Sequence, residues 1–285
     1  MATVRWLGGT SGVVSTAANW VGGSVPSAGD DVIWDSTTTY PMASGTFTNR
    51  PGTLTVTEGA NSDPANGGPT FGTQSSPIDL NGGGVAVTSV KFANRGNVYI
   101  TNPGDTVTSA RFEMPNGATA VISGGTWTAI EFVGVKFDVG ASAVVTSLYN
   151  LGGDGTVATN GTPITNHAGW GKCVMNSRDV TNGEVEDGGR LILTGTAAVG
   201  TGVKVYRGGV LNHQSSGAIA GGDVRRGGVL TPLGNPNSTA TLAATQWTGG
   251  NVVLAVPGFA YGSNATITYR GPTSSSSGNA LTTFG

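Results

Sequence analysis

The chain has one cysteine, Cys173, so no intrachain disulfide can staple it. Charged residues make up only 11% of its 285 positions, well below the roughly 25% of an average globular protein. The formal net charge is −2, with 14 basic and 16 acidic side chains. That balance argues against broad binding to nucleic acid, which needs clustered cations to displace counterions. It also argues against a polybasic membrane anchor. No apolar run approaches the ~18 residues of a membrane-crossing helix. Apolar positions at helical spacing, free of glycine and proline, are missing over any stretch of helix length. The opening Met1-Ala2-Thr3-Val4-Arg5-Trp6 lacks the basic and apolar regions of a signal peptide, so synthesis in the cytoplasm is expected.

What fills the chain instead is glycine, 49 residues of it, together with Thr, Ser, Asn and Val. Short β-strands broken by Gly, Asn and Pro turns are the expected local structure. Three segments repeat. Val185 to Leu191, Val205 to Leu211 and Val224 to Leu230 each read Val-x-x-Gly-Gly-x-Leu, with the second glycines at 189, 209 and 228. A period near 20 residues with β-type residues and paired glycines predicts an all-β fold of stacked rungs, a parallel β-helix. Val185, Val205 and Val224 then form one inward column, and Leu191, Leu211 and Leu230 another. Each Gly-Gly is expected at a tight corner, with the one-residue slip between rungs taken up in an outer loop. A β-sandwich is the rival fold, but it requires two-residue hairpins at short regular spacing. The expected organisation is an N-terminal cap or docking segment over 1–31 and a β-helix body over 32–270. A long loop at 59–83 interrupts the body, and a tail or arm follows over 271–285.

The N-terminal segment holds Trp6, Asn19-Trp20, Pro26 and Gly29-Asp30-Asp31-Val32. This pattern resembles the opening of a loose group of β-helix proteins, which includes phage structural proteins and passengers of bacterial autotransporters. The resemblance covers residues 6–34. It implies that the solenoid starts at Val32–Trp34, that Asn19 and Asp30 shape or cap turns, and that Trp6 and Trp20 cover the first rung. Autotransporter passengers carry a signal peptide and a membrane barrel, features this sequence does not show, so the resemblance points to the phage side.

No stretch carries recognisable chemistry. Glu184 and Glu186 share a strand face, as a carboxylate pair in a polysaccharide depolymerase would. The rungs that follow offer Arg207, Arg225 and Arg226, so an outward charge ladder with Glu186 and Asp187 is the simpler expectation. His167 and His213 stand isolated, without the three ligands that a metal site needs, and His213 is expected in an outer loop. Cys173 is expected as a small buried apolar residue. Neither catalytic residues nor a cofactor nor a metal is expected. Trp170, in Gly169-Trp170-Gly171, is the first candidate for a contact residue, with Arg207, Arg225 and Arg226 beside it as a candidate interface.

These features lead to a non-enzymatic virion protein of a tailed phage, most simply a capsid decoration (cement) protein. Its expected partners are the major capsid protein, other virion proteins and two further copies of itself in a trimer, with no nucleic acid or membrane partner. A tail fibre, tailspike or surface adhesin binding host glycans is the alternative, and a polysaccharide depolymerase a third.

Overall fold

A computed structural model describes residues 1–62, 70–80, 85–102, 104, 106–114, 117–159 and 161–232. Beyond these it describes the strands Thr245–Thr248, Asn251–Val252, Ala255–Val256, Phe259–Ala260, Thr266–Tyr269 and Ala280–Thr283. The fold is all-β. Among the described residues the one helical element is a single 3-10 turn, Ala17–Asn19. Strands pair in parallel from rung to rung, so the protein is a parallel β-solenoid and not a sandwich of antiparallel hairpins. Two compact units divide the chain, Met1–Val145 and Thr146–Gly285.

In the first unit, one sheet stacks Thr3–Arg5, Asp31–Trp34, Thr53–Val56, Val87–Phe92, Thr106–Phe112 and residues 126–132. Outward Thr, Lys and Arg alternate with inward apolar residues, the period-two pattern of a half-buried strand. One inward column runs Val32, Leu54, Val90, Ala110, Ile130, all buried. The next runs Trp34, Val56, Phe92, Phe112, Phe132. Phe92 and Phe112 stack with centroids 5.3 Å apart and planes 7° off parallel, and Phe112 and Phe132 repeat the 5.3 Å spacing. That distance is close to the ~4.8 Å between strands, so the backbone pitch itself places each ring on the last. A second stack of strands aligns Ile78, Ile100 and Ile122, all fully buried. Each such side chain contributes roughly 1.5–3 kcal/mol by leaving water.

The stack takes in Thr3–Arg5, so it begins one strand before the Val32–Trp34 start that the N-terminal motif implies. Within the segment expected as a long loop, Asn61–Ser62 pairs with Thr37–Thr38, and Ile78–Asp79 pairs with Ile100 and Thr101. Residues 63–69 and 81–83 of that segment lie outside the described residues. Of the expected tail, Ala280–Thr283 forms an antiparallel strand against Thr266–Tyr269. The rest of 271–285 lies outside the described residues.

In the second unit, two parallel stacks alternate along the chain. One passes through Ser147–Asn150, Ile164–Gly169, Val180–Val185, Val199–Val205, Gly222–Arg225, Thr245–Thr248 and Thr266–Tyr269. The other passes through Asp154–Val157, Lys172–Asn176, Arg190–Gly195, Val210–Ser215, Val229–Pro232 and Asn251–Val252. Val185, Val205 and Val224 are register partners and buried, as are Leu191, Leu211 and Leu230.

The glycine pairs divide their work at the corners between the stacks. Gly188, Gly208 and Gly227 take φ of +88°, +73° and +80°, the third position of a tight turn. Their partners Gly189, Gly209 and Gly228 close the turns by donating to the carbonyls of Glu186, Tyr206 and Arg225. A Cβ on Gly209 would come within 2.5 Å of the Val185 carbonyl oxygen on the preceding rung, and one on Gly228 within 2.5 Å of the Val205 carbonyl oxygen.

The slip between a 20-residue and a 19-residue rung is not taken up in an outer loop. Val180 pairs with Val199 but Asn182 pairs with Gly202, so the strand Val199–Val205 carries one extra residue as a β-bulge. The following rung lacks it: Val199 bridges Ile219, while Val203 pairs with Gly222. A bulge bends the strand and redirects its side chains, and here it shapes the outer face of the second unit.

Candidate functional site

The N-terminal motif residues act as fasteners within the first unit. Asn19 is fully buried. Its side-chain carbonyl accepts hydrogen bonds from the Thr10 and Ser11 amides, and its amide donates to Ser11 Oγ and the Val13 carbonyl. Trp6 and Trp20 meet edge to face with centroids 5.0 Å apart, and their indole N–H groups donate to the carbonyls of Tyr40 and Val14. The Asp30 carboxylate accepts the Ala2 and Ser27 amides, and the Ala2 bond leads in holding its pKa below the usual carboxylate value. Asp31 accepts from the Thr53 hydroxyl on the next rung, and the carbonyl of buried Pro26 accepts from Asn49.

Cys173, His167 and His213 of the second unit point into the solenoid. Cys173 is fully buried between Gly155 and Leu191, and burial pushes its thiol pKa up. His167 aligns with Leu148 and Gly183 and is 2% exposed; neither ring nitrogen has a hydrogen-bond partner among the described residues, and burial lowers its pKa to about 4. His213 does not lie in an outer loop. It sits inside Val210–Ser215, in register with Leu193 and fully buried, with Nε2 2.8 Å from the Gly217 carbonyl oxygen. Arg178, at the corner before Val180–Val185, is also fully buried.

Trp170 is 46% exposed, whereas Trp6, Trp20, Trp34 and Trp127 are buried. The two glycines around it explain its fixed presentation. A Cβ on Gly169 or Gly171 would collide with Asn150, a buried residue whose side chain bonds the Gly153 amide and the Lys172 carbonyl. The indole lies over Gly152, where a Cβ would approach its Nε1 to 3.1 Å. Trp170 therefore projects from a corner whose backbone is clamped by its neighbours.

The same corner, on later rungs, carries the arginines. Arg225 lies 4.7 Å from the Tyr206 ring centroid and pairs with Asp223 at 2.8 Å. Arg207 and Arg226 are exposed, line one pocket with Gly227, and form no ion pair among the described residues. The expected ladder of Glu186 and Asp187 over Arg207 is therefore absent there. The strand ends at Val185, so Glu186 and Asp187 enter the turn. The ladder forms one position before the valine column, where Glu184 is in register with Lys204 and bonds it at 2.7 Å; that bond leads in raising the Lys204 pKa. Glu184 thus faces a lysine, not a second carboxylate.

A groove of about 610 Å³ lies on the outer face of this unit, along the bulge. Asn166 and Asn182 stand at one end, Glu184, Lys204 and Asp223 along one side, and Thr201 beside a floor of Gly202 and Gly221. The sequence held a sign of it in the bare glycines at 202, 221 and 222, which read only as turn residues without the register. Comparison of the chain with protein-family models, curated proteins and solved structures found no match.

Proposed function

We propose that the chain is a non-enzymatic structural protein of a tailed-phage particle, a decoration protein that binds the major capsid protein and cements the head as a trimer. One observation carries this reading. Cys173, His167 and His213 are stacked inside the solenoid, while the corners between strands offer exposed Trp170, Arg207 and Arg226 to a partner. Exposed tryptophan and arginine are the residue types that most often anchor protein interfaces. The N-terminal motif, resembling that of phage β-helix proteins, supports the virion setting. Binding across capsid subunits stabilises the shell because the ligand favours the assembled state.

Immunogold labelling of particles with an antibody to the purified chain tests the reading. Gold over the heads is the expected result. Gold confined to the tail tip replaces it with a fibre or adhesin, and particles without gold overturn the virion setting.

A further inference from the structure

We propose that the groove over Gly202 and Gly221 is a binding site for an uncharged oligosaccharide. The polar column at its end shows why. Ser147, Asn166 and Asn182 are successive register partners. Asn166 Nδ2 donates to Ser147 Oγ at 3.3 Å, and Asn182 Nδ2 donates to Asn166 Oδ1 at 3.3 Å. On the next rung the partner of Asn182 is Gly202, and Gly202 in turn lies against Gly221. The amide ladder stops there, and two rungs without a side chain leave a trough ~10 Å long at the pitch of parallel strands. Asn182, whose Nδ2 is engaged by Asn166, lines the trough where the ladder ends. The bulge that brings in the extra residue sets the exposed Thr201 beside the floor.

The walls select the ligand chemistry. The charges there are already matched within the protein: Glu184 with Lys204, and Asp223 with Arg225. An anion or a cation would have to compete with these pairs. A ligand with many hydroxyls needs only the amide, the hydroxyl and the outer lone pairs of the carboxylates, and it continues the ladder that Gly202 interrupts. The trough length suits a sugar ring or two lying along the stack. The proposal is independent of whether the chain sits on a head or a tail.

Gly202 offers a clean test. A Cβ built there meets nothing closer than the Gly221 carbonyl oxygen at 3.8 Å, so Gly202→Asn fits and fills the trough with the next rung of the amide ladder. Fluorescent purified protein is applied to a printed array of neutral and acidic bacterial glycans. The expected result is retention on neutral glycans, lost in Gly202→Asn and weakened about tenfold in Asn182→Ala, the effect of one lost hydrogen bond of ~1.4 kcal/mol. Thermal unfolding of both variants is read alongside; should Gly202→Asn fail to fold, Asn182→Ala decides alone. Retention of no glycan, preference for acidic glycans, or binding unchanged in the folded variants overturns the proposal.

Discussion

His167 makes the second unit sensitive to mild acid in a way that one substitution should remove. The imidazole is 2% exposed, both nitrogens lack partners among the described residues, and burial lowers its pKa from 6.5 to about 4. The folded state therefore holds it neutral, while the unfolded chain takes up a proton below pH ~6.5. Stability from this group is complete above that pH and is lost as the pH falls toward 4. The full loss is roughly 3 kcal/mol, and about 2 kcal/mol of it falls between pH 7 and pH 5. His167→Leu extends the column of Leu148, its register partner, with a side chain that has no polar atom to leave unsatisfied. Urea unfolding followed by circular dichroism at pH 7, 6 and 5 measures both proteins, and carboxylates common to the two cancel in the difference. The variant should be the more stable at pH 7, and its advantage should widen by about 2 kcal/mol at pH 5. An advantage that stays constant with pH, or a variant weaker than wild type at pH 7, refutes the reasoning.

Further substitutions probe other parts of the stack. Arg178 is fully buried with its guanidinium nitrogens unpartnered among the described residues and its pKa lowered to about 10 by burial. Arg178→Met should raise the free energy of unfolding by about 1–4 kcal/mol in urea at pH 7, since an apolar replacement avoids burying an unpaired charge. Gly209→Ala drives a methyl into the Val185 carbonyl and should lower the melting temperature by several degrees, whereas Gly200→Ala, whose Cβ approaches nothing closer than 3.8 Å, should leave it nearly unchanged. Phe112→Ala opens the ring column between Phe92 and Phe132 and should cost ~3–5 kcal/mol in the same unfolding assay.

The regular rungs were legible because their repeat is written in identical residues. Val185, Val205 and Val224 occupy the same place relative to a Gly-Gly pair, and the structure puts them in register. A second repeat was equally visible in principle: Phe92, Phe112 and Phe132 are each 20 residues apart. It hides because the residues around each phenylalanine differ and no glycine pair marks its corner. The charge ladder lies at Glu184, before the valine column and not after it at Glu186, because its register depends on where the strand ends and the turn begins, at Val185. His213 was misplaced because Leu211, Asn212 and His213 are all buried, which breaks the alternation that separates inward from outward residues. The groove could not be read at all from single residues. It arises from missing side chains on two adjacent rungs and from a bulge, and both become visible only once the rungs are aligned.

The most direct test of the proposed role is the heat stability of particles. Phage heads assembled without this chain are mixed with increasing amounts of the purified protein, and the temperature of DNA release is recorded. Wild-type protein should raise that temperature to a plateau set by a fixed number of sites. Protein carrying Trp170→Ala with Arg207→Glu and Arg226→Glu should bind poorly and raise it little. If the release temperature is the same with and without saturating wild-type protein, the chain does not cement the head.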